Sequence, residues 1–345
     1  MRRVLKGWKM PLIDVADLTK IFRVAVRQSG RLGALRTFLS REYRDVCAVD
    51  HVSFAIEAGE MVGYLGPNGA GKSTTLKMLT GILAPTSGRM SIDGREPQRQ
   101  RIEHARRIGV VFGQRTQLWW DLPVIESFDL LRHIYRIPPE RWKANLSTFD
   151  DLLDLGAFLN TPVRQISLGQ RMRAELAAAL LHDPAILFLD EPTIGLDVVA
   201  RERIRQFLER INRERGVTVI LTTHDLNDIE RLCQRVILID HGRVIYDGAL
   251  ERLRERFGCW RILTVDLERD DVIDDTLEAP GADVIERNGS RFRLRFARDA
   301  TTAAALIGYL SSRYPIRDLT IEEPEIEGVI RHIYESPEVA HSHHR

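Results

Sequence analysis

The chain has 345 residues, of which 44% are hydrophobic, 29% charged and 7% aromatic, and its net charge is +1. That supplies apolar material for about two domains and excludes a disordered, collagenous or disulfide-stapled protein. So balanced a charge gives no bulk case for binding nucleic acid, and none is expected. The basic residues are overwhelmingly Arg, so each of the few Lys stands out in a motif. Cys47, Cys233 and Cys259 are scattered without a C-x-x-C pair, which reads as reduced thiols, not a zinc site or disulfide framework. No run approaches the roughly 18 apolar residues that cross a bilayer. The best stretch, 176–189, is broken by His182, Asp183 and Pro184, and the basic first residues are not followed by a signal-peptide core. A soluble, cytoplasmic chain is expected.

In chain order, 10–22 and 46–65 hold short β-like runs, including Val52–Ile56 and Met61–Leu65, punctuated by a turn at Gly59-Glu60. Between them, 23–45 is a net-positive arm with Arg27, Arg31 and Arg36, expected near a membrane or partner. A helix at 72–79, a loop and a strand at 108–112 follow, then a mostly helical block over about 121–182. Next come a strand at 186–189, a helix at 200–214, a strand at 217–222, a helix at 226–233 and a strand at 236–239. This alternation predicts a layered α/β domain with a largely parallel sheet, whose pattern closes near Asp247-Gly248. After an exit helix at 249–260, a small second unit is expected: a strand at 262–267, a hairpin turned at Asn288-Gly289, a helix at 302–313, a strand at 316–321 and a helix at 326–334. The domains are drawn as 1–257, with a helical subdomain over about 115–182, then 258–337 and a tail over 338–345, whose terminal histidines read as a solvated end.

Gly66-Pro67-Asn68-Gly69-Ala70-Gly71-Lys72-Ser73 fits G-x-x-x-x-G-K-[ST] between a strand and a helix. Glycines let backbone N–H groups turn inward around phosphate oxygens, and the helix adds its positive end. Lys72 would reach the β- and γ-phosphates of ATP, Ser73 would hold Mg²⁺, and Thr74 would lie near the α-phosphate. No G-x-G-x-x-G is present, so a dinucleotide fingerprint is excluded. Ile186–Asp190 is an apolar run ending in Asp190-Glu191. Asp190 at the strand tip can hold Mg²⁺ through water, and Glu191 can take a proton from an attacking water.

With both elements in place, the chain resembles the nucleotide-binding subunit of an ATP-binding-cassette (ABC) transporter over about residues 11–255. Ser167-Leu168-Gly169-Gln170 matches the family's signature loop, with Leu168 in place of its first glycine. The resemblance implies that Ser167 and Gly169, followed by Gln170, contact the γ-phosphate across a dimer; Ser167 also suits a helix N-cap. It further implies that Gln114 is a ligand for Mg²⁺ and water coupled to the membrane partner. In the same way Asp197, in Gly195-Leu196-Asp197, would reach the opposite subunit, and His224 would be a switch touching the γ-phosphate. Either Tyr43 or Phe22 would stack on adenine, with Tyr43 slightly favoured by its interval to Lys72. Trp119 and Trp120 could receive a membrane subunit or pack the helical subdomain.

The fold implied is a P-loop NTPase with a mixed, largely parallel sheet, an inserted helical signature subdomain and a small regulatory α+β C-terminal domain. The function implied is ATP hydrolysis that powers export through separate ABC permease subunits. The cassettes would pair as a homodimer or with another nucleotide-binding subunit, peripheral to the cytoplasmic face of the membrane. The alternative is a soluble ABC-type ATPase of translation or DNA repair.

Overall fold

The computed structural model describes residues 10–25, 43–113, 115–223, 225–257, 260–268, 277–297, 300–322 and 326–335. Most of the basic arm, Gln114, His224, Cys259 and the histidine tail lie outside the described residues. The fold divides into two compact units between Asp247 and Gly248.

The first unit is built on a six-stranded sheet of order β5-β6-β7-β3-β8-β9. Its strands are β3 (Met61–Leu65), β5 (Ile108–Phe112), β6 (Ile186–Asp190), β7 (Thr218–Thr222), β8 (Arg235–Asp240) and β9 (Arg243–Ala249). The pairs β5–β6, β6–β7, β7–β3 and β3–β8 are parallel. All five residues of β3 and of β7 are buried, the continuous apolar reading that a strand covered on both faces requires. A second, antiparallel sheet of order β2-β1-β4 is formed by β1 (Ile13–Ala25), β2 (Tyr43–Ile56) and β4 (Ser87–Ile92). One core joins the two sheets: Ile13, Val15 and Phe54 pack with Tyr64, Phe188 and Ile237.

Helices α1 (Lys72–Leu79), α2 (Arg101–Ala105), α6 (Val198–Arg215) and α7 (Leu226–Leu232) connect the strands, while α3 (Val124–Tyr135), α4 (Pro139–Leu153) and α5 (Leu168–Leu180) form the helical insertion. Pro139 begins α4 at a position where its missing N–H costs nothing. Gly216, at φ 64°, ends α6 in the left-handed region. The insertion is tied to the sheet by His182. Its ring stacks on Tyr135 at 4.0 Å and 5°, and its Nε2–H donates to the Ile108 carbonyl at 3.0 Å.

The second unit pairs its strands in the order β11-β12-β10-β13, from β10 (Trp260–Leu267), β11 (Ala282–Asn288), β12 (Arg291–Ala297) and β13 (Ile316–Glu322). All its pairs are antiparallel, the strand order of a split βαβ motif. Asn288 pairs with Arg291, so the hairpin turns on Gly289-Ser290, one residue beyond the expected Asn288-Gly289, with Gly289 at φ 59° in the first central position, where a positive φ favours glycine. Leu263, Val265, Phe292, Leu294 and Phe296 form its core with Leu306 and Leu310 of α9 (Ala303–Arg313). Helix α8 (Leu250–Phe257) belongs to this unit, ahead of the limit at 257 drawn from the sequence. Its Leu250, Leu253 and Phe257 are buried, and it packs on α10 (Ile326–Glu335).

Two outcomes follow. A chain shortened to residues 1–247 is expected to melt cooperatively. One ending at 257 carries the apolar face of α8 without α10 and should be the less soluble of the two; equal solubility would contradict the assignment of α8. The second concerns His182, whose pKa burial pushes down to about 4, outweighing its hydrogen bond to Ile108. The unfolded chain, near 6.5, takes up the proton first, so this contribution is intact above about pH 6.5 and is lost as pH falls toward 4. His182→Gln should reduce the stability lost between pH 7 and pH 5 in urea denaturation by up to about 2 kcal/mol.

Candidate nucleotide site

Strand β3 ends at the phosphate-type loop, which two neighbours clamp. A Cβ on Gly66 would collide with the Ile239 carbonyl oxygen of β8, and one on Gly71 with the Ala48 carbonyl oxygen of β2. Gly71 also takes φ 104°, a conformation that side-chain-bearing residues avoid. Between them, Pro67, Asn68 and Gly69 are exposed, while Ala70 is buried and fixed by the Gly242 amide, which donates to its carbonyl at 3.0 Å. Ser73 and Thr74, in the first turn of α1, are half-buried.

Lys72 is 8% exposed. Its Nζ donates to the Gly66 carbonyl at 2.6 Å and the Pro67 carbonyl at 3.0 Å. Burial holds its pKa below the ordinary lysine value, and the nearby carboxylates of Glu191 and Asp190 oppose the shift.

Asp190 ends β6 beside this loop. Its Oδ1 accepts from the Thr222 hydroxyl at 2.5 Å and from the Ser73 hydroxyl at 3.4 Å. The next residue, Glu191, is pinned by its amide to the Thr222 carbonyl at 2.9 Å and has φ 55°. Gly113 permits this approach: its amide donates to the Asp190 carbonyl at 2.9 Å, and a Cβ there would stand 2.8 Å from the Glu191 carbonyl oxygen. Asn68, Ser73, Phe112, Arg115, Asp190 and Glu191 line a common cleft of about 680 Å³. The sequence reading missed Thr222, Gly113 and Arg115. Thr222 carried a signal, as a hydroxyl ending a fully buried run.

A second cluster forms around the signature loop. The Ser167 hydroxyl accepts from the Gln170 amide at 3.2 Å, and the Gln170 Oε1 accepts from the Ser167 amide at 2.8 Å, a complete capping box at the start of α5. Leu168, 39% exposed, lies against Gly195, whose added Cβ would be 3.2 Å from it. Gly169 faces Ala200 in the same way. Asp197 caps α6 through the Ala200 amide at 2.8 Å. Among the described residues, no hydrogen bond joins Ser167, Gly169, Gln170 or Asp197 to the phosphate-type loop or to Asp190.

The two adenine candidates separate. Phe22 pairs with Val46, two residues from the Ala48 that touches Gly71, and Lys20 lies 5.3 Å over its ring. Tyr43 is 60% exposed at the far end of β2, five residues and about 16 Å from Ala48. Trp119 and Trp120 are 40% and 50% exposed, so they do not pack the core of the helical insertion.

A family profile described as "ABC transporter" matches residues 49–194. Over 223 residues the chain is 38% identical to the ABC transporter ATP-binding protein NatA of Bacillus subtilis, covering 64% of this chain and 90% of that one. The chain belongs to the ABC transporter ATP-binding proteins. As a member, it is an ATP-binding ATPase subunit. It is also 41% identical over 227 residues to the Nod factor export ATP-binding protein I of Burkholderia pseudomallei, covering 64% of this chain and 72% of that one. The ATP-binding cassette MJ0796, solved as a dimer in a post-hydrolysis state with ADP and Pi, superposes with a TM-score of 0.57 at 28% identity. That match covers 69% of this chain and 98% of the cassette. These relatives favour the transporter reading over a soluble translation or repair ATPase. Among the described residues, no helix of this ABC subunit is long and apolar enough to cross a membrane.

Two glycines of the loop test the clamp. Gly69 has φ 86° with nothing near its added Cβ, so Gly69→Ala is expected to cost about 1–2 kcal/mol in chemical denaturation. Gly71→Ala adds a collision with Ala48 to the same strain and should cost about 2–5 kcal/mol. Equal costs would show that the Ala48 contact does not fix the loop.

Proposed function

We propose that this subunit powers export: paired cassettes bind two ATP molecules, close, hydrolyse them and pass the motion to separate permease subunits in the membrane. The observation that carries this reading is the convergence of Ser73, Asp190 and Glu191 on one cleft at the ends of β3 and β6, with Lys72 near enough to feel both carboxylates. The names of NatA and of the Nod factor exporter support transport, and the latter supports export. The dimeric MJ0796 cassette supports pairing. Half-exposed Trp119 and Trp120 offer apolar surface for a permease segment, which would hold the subunit at the cytoplasmic face of the membrane.

In this reading the amides of the 66–74 loop surround the triphosphate, and Lys72 exchanges its two carbonyl partners for β- and γ-phosphate oxygens. The Ser73 hydroxyl and Asp190 carboxylate, oxygen donors 3.4 Å apart, suit Mg²⁺ and would hold it directly or through water. Bound there, Mg²⁺ would neutralise charge on the phosphates. Glu191 takes the proton of the attacking water on a carboxylate oxygen as the water adds to the γ-phosphorus and the ADP oxygen leaves. Gln114 and His224, assigned from the family resemblance, would orient that water and contact the γ-phosphate. Phe22, the nearer aromatic to Gly71, stacks on adenine in preference to Tyr43. Ser167, Gly169, Gln170 and Asp197 face the ATP of the other cassette, which accounts for their separation from the phosphate loop within one chain.

Glu191→Gln keeps the side chain's shape but cannot accept the proton. Turnover should fall roughly 10²–10⁴-fold with nucleotide affinity nearly unchanged, and a dimer should accumulate on size-exclusion chromatography with Mg-ATP. Lys72→Ala should lose binding and remain monomeric. An active Glu191→Gln protein, or one that stays monomeric, would overturn the assignment of base or of dimer.

A further inference from the structure

Glu175 is a buried carboxylate that the chemistry above does not use. It sits in the middle of α5 and is 4% exposed, six residues beyond Gly169 and so about 9 Å along the helix from the signature loop. Among the described residues, its side chain takes its hydrogen bonds from one short segment, the three residues 116–118, which begin two positions after Gln114. The Thr116 hydroxyl donates to Oε1. The Gln117 amide is shared between the two carboxylate oxygens at 3.2 Å each. The Gln117 side-chain amide returns to the Glu175 backbone carbonyl at 3.1 Å.

The segment is rigid in itself, because the Leu118 amide donates to the Thr116 hydroxyl at 3.1 Å and Leu118 is buried. It continues to α3, where the Trp119 amide donates to the buried Ser127 hydroxyl at 3.1 Å. One turn beyond Glu175, α5 rests on the sheet, since a Cβ on Gly109 of β5 would collide with the Ala179 carbonyl oxygen. The carboxylate therefore lies between the sheet anchor of α5 and the end that presents Ser167 and Gly169. A buried carboxylate cannot leave its donors without losing compensation for its own desolvation, so segment and helix are held as one body.

We propose that Glu175 is a positioning residue: it locks residues 116–118 to the signature helix, so that movement of that segment shifts Ser167 and Gly169 with it. The proposal rests on the reading that Ser167 and Gly169 meet ATP across a dimer. It requires the intact hydrogen bonds, whereas a packing role would be satisfied by shape alone.

The experiment uses the full chain with Glu191→Gln as the parent and measures the Mg-ATP-dependent dimer dissociation constant by sedimentation. Affinity of the single cassette is measured with a fluorescent ATP analogue. Glu175→Gln and Thr116→Val should each weaken the dimer roughly tenfold or more, from loss of a hydrogen bond to a charged group, with analogue affinity within about twofold of the parent. Thr116→Ser, which keeps the hydroxyl at an exposed position, should dimerise like the parent. In the Glu191 background, Thr116→Val should lower kcat with KM for ATP unchanged. If Glu175→Gln fails to fold, the Thr116 pair decides, because its two members differ only at an exposed side chain. Dimerisation unchanged by Thr116→Val, or weakened equally by Thr116→Ser, overturns the proposal. A parent that does not dimerise overturns instead the reading on which it rests.

Discussion

The Asp190 carboxylate depends on the register of the parallel sheet. Phe112, Asp190 and Thr222 are cross-strand neighbours at the ends of β5, β6 and β7. That alignment lets the Thr222 hydroxyl reach Oδ1 while Ser73 arrives from the adjoining loop. A slip of one residue in β6 would turn Asp190 to the other face and bring Leu189 to the cleft. Burial of Ile186 to Leu189 on both sides makes such a slip costly, so the hydrophobic run that builds the core also aims the acid.

Close approach of backbone is the companion requirement. Gly66 against β8, Gly71 against β2 and Gly113 against the turn at Asp190-Glu191 each remove a side chain where two main chains nearly touch. The phosphate-type loop is thereby held by β8 and β2, and the Asp190-Glu191 turn by the end of β5, not by their own hydrogen bonds alone. The signature loop and the Gly195-Leu196-Asp197 segment follow another principle. Ser167 and Asp197 use their side chains to cap helices, which fixes the loop backbone and leaves Leu168 at the surface.

Much of this was legible from residue order. The strands at 61–65 and 108–112 and the run 186–189 that leads into Asp190 are apolar throughout, and helix 72–79 agrees with the expected limits, whereas the hairpin is found with its turn one residue later, at Gly289-Ser290. Three elements were not read. In β4, Ser87–Ile92, only Met90 and Ile92 are buried, so an edge strand carries too few apolar residues to show a period. Helix α2 is five residues long, and β9 is largely half-exposed with a glycine near its end. The long strand β1 is broken by register shifts and a positive φ at Asp17, which divides its pattern. Within the candidate site, spacing singled out the loop and the acids that the fold brings together, whereas Thr222 and Glu175 make their contacts with partners distant in sequence. Glu175 lies in a run of alanines and leucines that gives no local sign of the segment it holds.

The left-handed backbone of Glu191 has an evolutionary consequence. A bulky residue at φ 55° is held against a local preference worth about 1–3 kcal/mol. Glycine there would relieve the backbone and remove the carboxylate together. Selection for folded abundance alone would thus push this position away from chemistry, and a silenced cassette arising by mutation would be the sturdier protein. The base proposed at Glu191 thus carries a backbone cost that the fold alone does not require.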